Sequence, residues 1–235
     1  MRCKIADLLV EIPEAGGMSA RCRDYIATDA GEPDIVIKEE YYDLEKWSKL
    51  SYENAIYMET GNIFYSWLLR NDGIMLHSSA IEYNGKAYLF SGPSGMGKST
   101  HTRLWRQTFG DAVKVFNDDK PALRQIDGIW YAYGTPWCGK DGININTKVP
   151  LAGICFLRRG DANTIRRLPP LQASSAIISQ TIRRFNSEKG LAVMLGTVDK
   201  LVGKIPVYEL ACLPDEAAAR LSHDTMTRKT EEENK

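Results

Sequence analysis

The most constraining feature of this 235-residue sequence is the segment GPSGMGKS at residues 92–99, which fits the pattern GxxxxGK[ST] at every fixed position. An apolar run at residues 87–90 leads directly into it. Residues 99–109 follow with apolar side chains at helical spacing, and Gly110 then provides a helix stop. A strand, a glycine-rich turn and a helix in this order are the setting of a phosphate-binding loop. The sequence therefore predicts such a loop at this position.

Each part of the segment has a chemical task in that reading. Glycines let successive backbone N–H groups point inward at phosphate oxygens, and the N-terminus of the helix adds its positive end. Lys98 would add a full charge, and the Ser99 hydroxyl would bind Mg²⁺. The predicted cofactors are thus ATP and Mg²⁺. The predicted nucleotide-binding residues are Gly92, Ser94, Gly95, Met96, Gly97, Lys98, Ser99 and Thr100.

A short apolar strand at residues 113–116 leads into two adjacent acids, Asp118 and Asp119. One carboxylate could hold Mg²⁺ together with Ser99, and the other could accept the proton of an attacking hydroxyl. A solvated turn is the alternative, because Asn-Asp-Asp-Lys-Pro is good turn composition. The pair follows Lys98 by one helix, which favours the functional reading. Alternation along a strand predicts Asp118 toward the metal and Asp119 toward the acceptor, and the reverse order stays open.

The rest of the chain indicates an α/β fold. Asn84-Gly85 and Asp127-Gly128 each stand between two strand-like runs, which predicts two antiparallel hairpins with two-residue turns. The fold class that follows is a mixed sheet with antiparallel hairpins and flanking helices. Further strands are predicted at residues 113–116, 152–157 and 207–211, and helices at 171–185, 191–202 and, as one or two pieces interrupted by Gly61, 54–70.

The predicted organisation has three parts. Residues 1–74 form a small α+β N-terminal extension packed on the core, and residues 75–221 form the phosphate-loop core. Residues 222–235 have almost nothing to bury and are predicted to be a disordered tail.

Composition excludes several classes of protein. Thirty basic and thirty acidic residues give zero formal net charge, which argues against a general nucleic-acid binder. The first apolar run is short and broken by charges, so no membrane span or leader is expected and a cytoplasmic location is predicted. Five widely separated cysteines without a CxxC pair indicate reduced thiols instead of disulfides or a zinc site. Homo-oligomerisation stays open.

The phosphate loop follows the second strand of a hairpin, after about ninety residues of chain. This arrangement resembles that of the HPr kinase/phosphorylase family and, more remotely, that of ATP-dependent phosphoenolpyruvate carboxykinase. The resemblance rests on LHSSAIEYNGKAYLFSGPSGMGKST followed by NDDK. By position it implies nucleotide and magnesium roles for Lys98 and Ser99, paired acids at Asp118 and Asp119, and a catalytic role for His77. Three further segments resemble those of a separate branch of serine-kinase-like proteins from Gram-positive bacteria, namely NDDKPALR, YGTPWCGK and NTKVPLAGICFLRR. Relatives of that branch act on peptide serines or on free serine.

Two further assignments are less direct. His77 is either a catalytic helper near the γ-phosphate or a satisfied polar residue on a half-buried strand. The loop at residues 134–141 contains both a large apolar side chain, Trp137, and a cationic one, Lys140, a combination that suits an acceptor pocket. The predicted acceptor-binding residues are Thr135, Trp137 and Lys140. HPr kinases place a further metal-binding Glu in the corresponding stretch, and this sequence has none there.

Two functions fit these features. The first is a Mg²⁺/ATP-dependent kinase that transfers the γ-phosphoryl group to a hydroxyl, most simply that of serine in a protein, peptide or free amino acid. The second is a regulatory module that binds nucleotide without phosphotransfer. Adjacent acids favour the first, because a binding site alone needs no candidate base beside the metal ligand. The donor, whether ATP, ADP or pyrophosphate, and the identity of the acceptor stay open.

Overall fold

The structure is a computed structural model that describes residues 1–139, 141–181 and 188–228. It contains six helices and twelve strands in the described residues, joined by turns and short 3₁₀ segments. The helices are α1 Met18–Arg21, α2 Tyr52–Leu68, α3 Lys98–Phe109, α4 Pro170–Ser179, α5 Glu188–Val202 and α6 Glu216–Thr227. The strands are β1 Arg2–Ile5, β2 Leu8–Glu11, β3 Ile35–Val36, β4 Gly73–Met75, β5 Ser78–Tyr83, β6 Lys86–Ser91, β7 Val113–Asp119, β8 Ala122–Ile126, β9 Ile129–Tyr133, β10 Lys148–Arg159, β11 Thr164–Arg167 and β12 Val207–Cys212.

Nine of these strands form one mixed sheet in the order β4-β8-β9-β10-β6-β5-β7, with β12 beside β10 and β11 beside β12. The long strand β10 is parallel to β6 and β12, whereas the β5–β6, β5–β7 and β8–β9 pairs are antiparallel. A second sheet of three strands, β1-β2-β3, lies in the N-terminal region. The predicted α/β class with a mixed sheet, antiparallel hairpins and flanking helices is confirmed.

Both predicted two-residue hairpin turns are present. Asn84 and Gly85 have φ angles of 50° and 72°, and Asp127 and Gly128 have φ angles of 51° and 80°. These positive angles twist the turn in the sense that the flanking strands require. The turn at Asn84 therefore fixes the register of β5 against β6.

That register determines where the chemistry-bearing residues meet. From the pair Tyr83–Lys86 at the turn, the ladder runs without a break to the pair Ser78–Ser91. Strand β7 pairs with the other edge of β5 and ends with Asp119 opposite Ser78. His77, the glycine loop after Ser91 and the paired acids consequently lie at one end of three neighbouring strands.

Helices cover both faces of the large sheet. Trp105 of α3 and Met226 of α6 pack with Phe90 on one face. Ile177 of α4 and Val198 of α5 belong to the core cluster on the other face. A third cluster joins N-terminal residues to the core and includes Trp137. In the described residues, no helix combines the length and apolar character needed to cross a membrane.

Two predicted elements differ in the structure. Helix α2 is continuous through Gly61. A Cβ atom at this position would lie 3.0 Å from the Trp137 ring, so glycine here permits close packing and does not interrupt the helix. The tail predicted from residue 222 is wrong for its first part, since α6 continues to Thr227. Ser222 and Met226 are buried on the face that α6 packs against the core. The remainder of that segment, 229–235, and residues 182–185 of the predicted 171–185 helix lie outside the described residues.

Candidate functional site

The glycine loop connects β6 to α3 and has the backbone conformation that its sequence predicts. Gly92, Gly95 and Gly97 have φ angles of 148°, 78° and 98°, a region that residues with side chains rarely adopt. Helix α3 begins immediately afterwards at Lys98, and no side chain in the described part of the chain caps its first turn. The free N–H groups of that turn and the helix dipole make this end of α3 suited to an anion.

Lys98 folds back over the loop. Its ammonium donates hydrogen bonds to the carbonyl oxygens of Gly92 at 3.0 Å and Pro93 at 3.3 Å, and the side chain is only 9% exposed. Burial lowers the pKa of Lys98, and the charges of Asp119 and Asp118 oppose that shift. The cation of the loop is therefore within electrostatic reach of both acids.

Ser99 and Asp118 meet directly across the junction of helix and strand. The Ser99 hydroxyl donates a hydrogen bond to Asp118 Oδ1 at 3.0 Å. Asp118 lies opposite Ser79, and the Ser79 hydroxyl is 3.0 Å from that of Thr102 on α3. Residues that face each other across two strands project on the same side of the sheet. Asp118 thus projects toward α3 and the glycine loop.

Asp119 has a different set of partners. Its Oδ1 is 3.2 Å from His77 Nε2, and its Oδ2 forms a close ion pair with Lys120 and accepts from the Tyr57 hydroxyl at 3.2 Å. Burial alone would raise the pKa of Asp119, but the hydrogen bond from His77 and the charge of Lys120 outweigh it and hold the pKa well below its usual range. Asp119 is therefore an anion at neutral pH.

The structure adds residues that sequence reasoning did not single out. Tyr57 comes from α2, and its hydroxyl also donates to the carbonyl oxygen of Cys138 at 2.9 Å. Arg21 from α1 stacks on the Tyr57 ring, with 4.7 Å between the guanidinium carbon and the ring centroid. Lys120 could have been selected because it adjoins the acids. No motif or spacing marks Tyr57 or Arg21, which lie 62 and 98 positions before Asp119.

Two of the predicted acceptor-binding residues are buried, whereas that prediction requires them to be exposed to an acceptor. Thr135 and Trp137 are both 0% exposed, so neither side chain can contact an acceptor. The Thr135 hydroxyl hydrogen-bonds to the carbonyl oxygen of Lys120 at 2.8 Å, and Trp137 stacks on Phe64 in the core. Lys140 lies outside the described residues. The physical reason is that a Gly- and Pro-rich composition indicates a turn but does not distinguish a buried connection from an exposed one.

A cavity of about 330 Å³ opens beside the glycine loop. Its walls come from the loop and the start of α3, from the end of β10, and from the turn after β12. The residues that line it with apolar or basic side chains include Met96, Leu104, Leu157, Arg158, Arg159 and Leu213. An apolar cavity with a few basic groups next to an anion site has the character of a small-molecule pocket.

The residues present fit one Mg²⁺ ion of the kind found in phosphate-loop sites. Such an ion takes a hydroxyl and one carboxylate from the protein, and its remaining ligands are water and phosphate oxygens. The hydrogen-bonded Ser99 and Asp118 supply that pair. Within the described ranges, no three His, Cys, Asp or Glu side chains cluster to hold a metal by themselves.

Buried His101 gives the fold a defined pH response. It lies on α3 with Nε2 2.9 Å from Ser222 Oγ, and burial lowers its pKa to about 4. The unfolded chain would bind a proton near pH 6.5, so stability falls as the pH drops from about 6.5 to 4, by about 3 kcal/mol in total. Urea unfolding at several pH values should show this loss. A His101→Gln variant should lack that part of the slope, whereas parallel curves for the two proteins would contradict the assignment.

Both the sequence and the fold have counterparts among known proteins. The sequence matches the family described as "ScmC: SynChlorMet cassette protein ScmC" over residues 48–214, a span that includes the glycine loop and both acids. No curated protein matches the sequence. A solved structure of the Hpr(Ser) kinase/phosphatase from Coxiella burnetii is similar over 68% of this chain and 97% of its own, at 13% identity and a TM-score of 0.35. That score is too low for the likeness to carry an argument.

Proposed function

This chain belongs to the ScmC family of SynChlorMet cassette proteins, and we propose that it is a Mg²⁺- and ATP-dependent phosphotransferase that acts on a hydroxyl acceptor. The family description names no reaction, so the proposal rests on the site. The observation that carries it is the hydrogen bond between Ser99 and Asp118 at the mouth of the glycine loop, with a second, separately bonded carboxylate one residue further on.

The donor side consists of the loop and the cavity beside it. The uncapped N–H groups of α3 and the Lys98 ammonium would bind the β- and γ-phosphates. Ser99 and Asp118 would hold Mg²⁺, which when bound neutralises charge on the phosphates. The cavity of about 330 Å³ would take the nucleoside, with Arg158 or Arg159 near its polar groups. A nucleoside triphosphate would occupy both the loop and the cavity, whereas pyrophosphate would occupy the loop alone, which favours ATP over pyrophosphate.

The acceptor side is the surface around Asp119. The His77 side chain is 29% exposed and that of Asp119 is 22% exposed, so a small hydroxyl group can approach them from solvent. Asp119 is ionised at neutral pH and can accept the hydroxyl proton as the oxygen attacks. Its lowered pKa makes it a weak base, which suits phosphoryl transfer because little proton transfer is needed before a loose transition state.

Serine is the acceptor class we favour, because residues 75–119 resemble those of HPr kinases. We also propose a cytoplasmic location, because the cysteines in the described residues are free and the proposed reaction would use ATP.

The test is a transfer assay. Purified protein is incubated with Mg²⁺ and γ-labelled ATP, alone and with free serine, serine peptides or small proteins as acceptors. We expect label to appear on a hydroxyl acceptor and ATP turnover to depend on that acceptor. Tight nucleotide binding without transfer to any acceptor would instead support the regulatory module, and the absence of nucleotide binding would refute both functions.

The two acids should fail in different ways when each is changed to Asn, which keeps the shape and removes the charge. Asp118→Asn should raise the Mg²⁺ concentration needed for half-maximal rate, because Ser99 loses its partner in metal binding. Asp119→Asn should leave Mg²⁺ and nucleotide binding close to wild type and lower kcat by roughly 10²-fold, the lower end for a general base.

Titrating Mg²⁺ against both Asn variants separates these outcomes. Asp127→Asn, in the hairpin turn between β8 and β9, is the control for loss of one carboxylate and should behave as wild type. Identical profiles for the two acids, with full kcat recovered at high Mg²⁺, would show that neither accepts the proton.

A further inference from the structure

One side chain connects the N-terminal 74 residues to the carboxylate pair. The Tyr57 hydroxyl on α2 is 2.9 Å from the carbonyl oxygen of Cys138 and 3.2 Å from Asp119 Oδ2, and it accepts a hydrogen bond from Lys120 Nζ at 2.9 Å. A phenol has one hydrogen, so it donates to one of its two acceptors at a time. The phenol oxygen nevertheless lies within hydrogen-bond distance of both members of the Asp119–Lys120 ion pair.

The ring of Tyr57 is itself held in place. The Arg21 guanidinium carbon is 4.7 Å from the ring centroid, and the Lys120 ammonium is 4.6 Å from it. Arg21 is in turn anchored to the segment after β9, because it contacts Cys138 Sγ at 3.5 Å. Burial and the charge of Asp119 raise the pKa of the phenol, so Tyr57 remains protonated and acts as a hydrogen-bond donor.

The two oxygens of Asp119 face different groups. Oδ1 lies toward His77, and Oδ2 lies toward Tyr57 and Lys120. Without the phenol, Lys120 would be the one remaining partner of Oδ2 in the described part of the chain, and its ammonium is on a flexible four-carbon stem. The carboxylate could then rotate away from the orientation in which it faces an acceptor. Small displacements of this kind lower the rate of a positioned proton acceptor considerably.

We propose that Tyr57 is a positioning residue that holds Asp119 and Lys120 toward the acceptor, and that residues 1–74 thereby complete the site. This inference rests on the proposed phosphoryl transfer. Tyr57 would act through Asp119 and not through the nucleotide, because within the described residues its hydrogen bonds go only to the acid, to Lys120 and to a backbone carbonyl. The N-terminal region is accordingly part of the catalytic unit.

Tyr57→Phe tests the hydroxyl alone. We expect kcat to fall about tenfold, with the KM for nucleotide and the Mg²⁺ requirement unchanged, because only the acceptor side is affected. The matched control is Tyr25→Phe: Tyr25 is buried in the same cluster, and its hydroxyl has no hydrogen-bond partner in the described residues. That control should keep the wild-type kcat.

A double-mutant comparison distinguishes positioning from a general structural role. In an Asp119→Asn background, Tyr57→Phe should cause no further loss, because the group that it positions is already disabled. Independent, multiplying losses would overturn the proposal, as would a Tyr57→Phe enzyme as active as Tyr25→Phe. If the wild-type protein transferred phosphate to no acceptor, the proposed function and this inference would both be refuted. If the wild-type protein were active and Tyr57→Phe left its kcat unchanged, only this inference would be refuted.

Discussion

Lys98→Ala is expected to reduce phosphoryl transfer on the order of 10³-fold, because it removes the only full positive charge within the glycine loop at the point where phosphate charge develops. The affinity for ATP should fall as well, since the backbone N–H groups of α3 would bind the phosphates without the ammonium. Nucleotide titration and initial rates at saturating acceptor measure the two effects separately.

One structural observation and two control variants make this result interpretable. Among the residues that the structure describes, the Lys98 ammonium hydrogen-bonds only to loop carbonyls, so its loss should leave the sheet and α3 folded. Lys98→Met keeps the apolar stem and should lose transfer equally, which excludes a packing defect as the cause. Lys114→Ala, at an exposed position of β7, removes one positive charge from the strand that carries the acids and should retain activity. A folded Lys98→Ala protein with wild-type transfer would refute the phosphate-loop assignment.

Trp137→Ala is expected to lower the free energy of unfolding by about 3–5 kcal/mol, the range for deleting a large buried aromatic side chain. The Trp137 ring stacks on Phe64 with centroids 4.7 Å apart, and its indole N–H donates to Thr60 Oγ1 at 3.1 Å. A Cβ atom at Gly61 would lie 3.0 Å from the same ring, so α2 packs closely against it. The substitution would leave a cavity between α2 and the segment after β9 and would remove the indole hydrogen bond to Thr60, whose hydroxyl would still donate to the carbonyl oxygen of Ile56.

Denaturant unfolding measures this loss, and Trp67→Ala provides the comparison. Trp67 is on the same helix, is 37% exposed, and its substitution should cost less than about 1 kcal/mol. The opposite pattern, an unchanged stability for Trp137→Ala with a raised acceptor KM, would restore the predicted acceptor role of this residue. Acceptor kinetics of the destabilised variant should be measured well below its unfolding temperature.

Much of the donor side could be predicted from sequence because its signals are local. The glycine pattern, the apolar run before it and the helical run after it lie within about 25 consecutive residues, and each depends on backbone preferences of its own residues. The hairpin turn at Asn84 is equally local, and its two-residue length sets the register that brings His77 beside the loop. The acceptor side could not be predicted in this way, because Tyr57 and Arg21 reach it only through the packing of α1 and α2.

The sequence by itself determined the loop, the turns and the presence of two acids at a strand end, since these follow from the conformational limits of glycine, asparagine and alternating strands. The tertiary structure alone decided which acid meets Ser99. A bulge at Phe116 shifts the β5–β7 register, so that Asp118 instead of Asn117 lies opposite Ser79. One residue of register moves every later side chain to the other face of the sheet. Burial of Trp137 was decided in the same way, by α2 packing over a turn whose composition alone does not distinguish an exposed loop from a buried one.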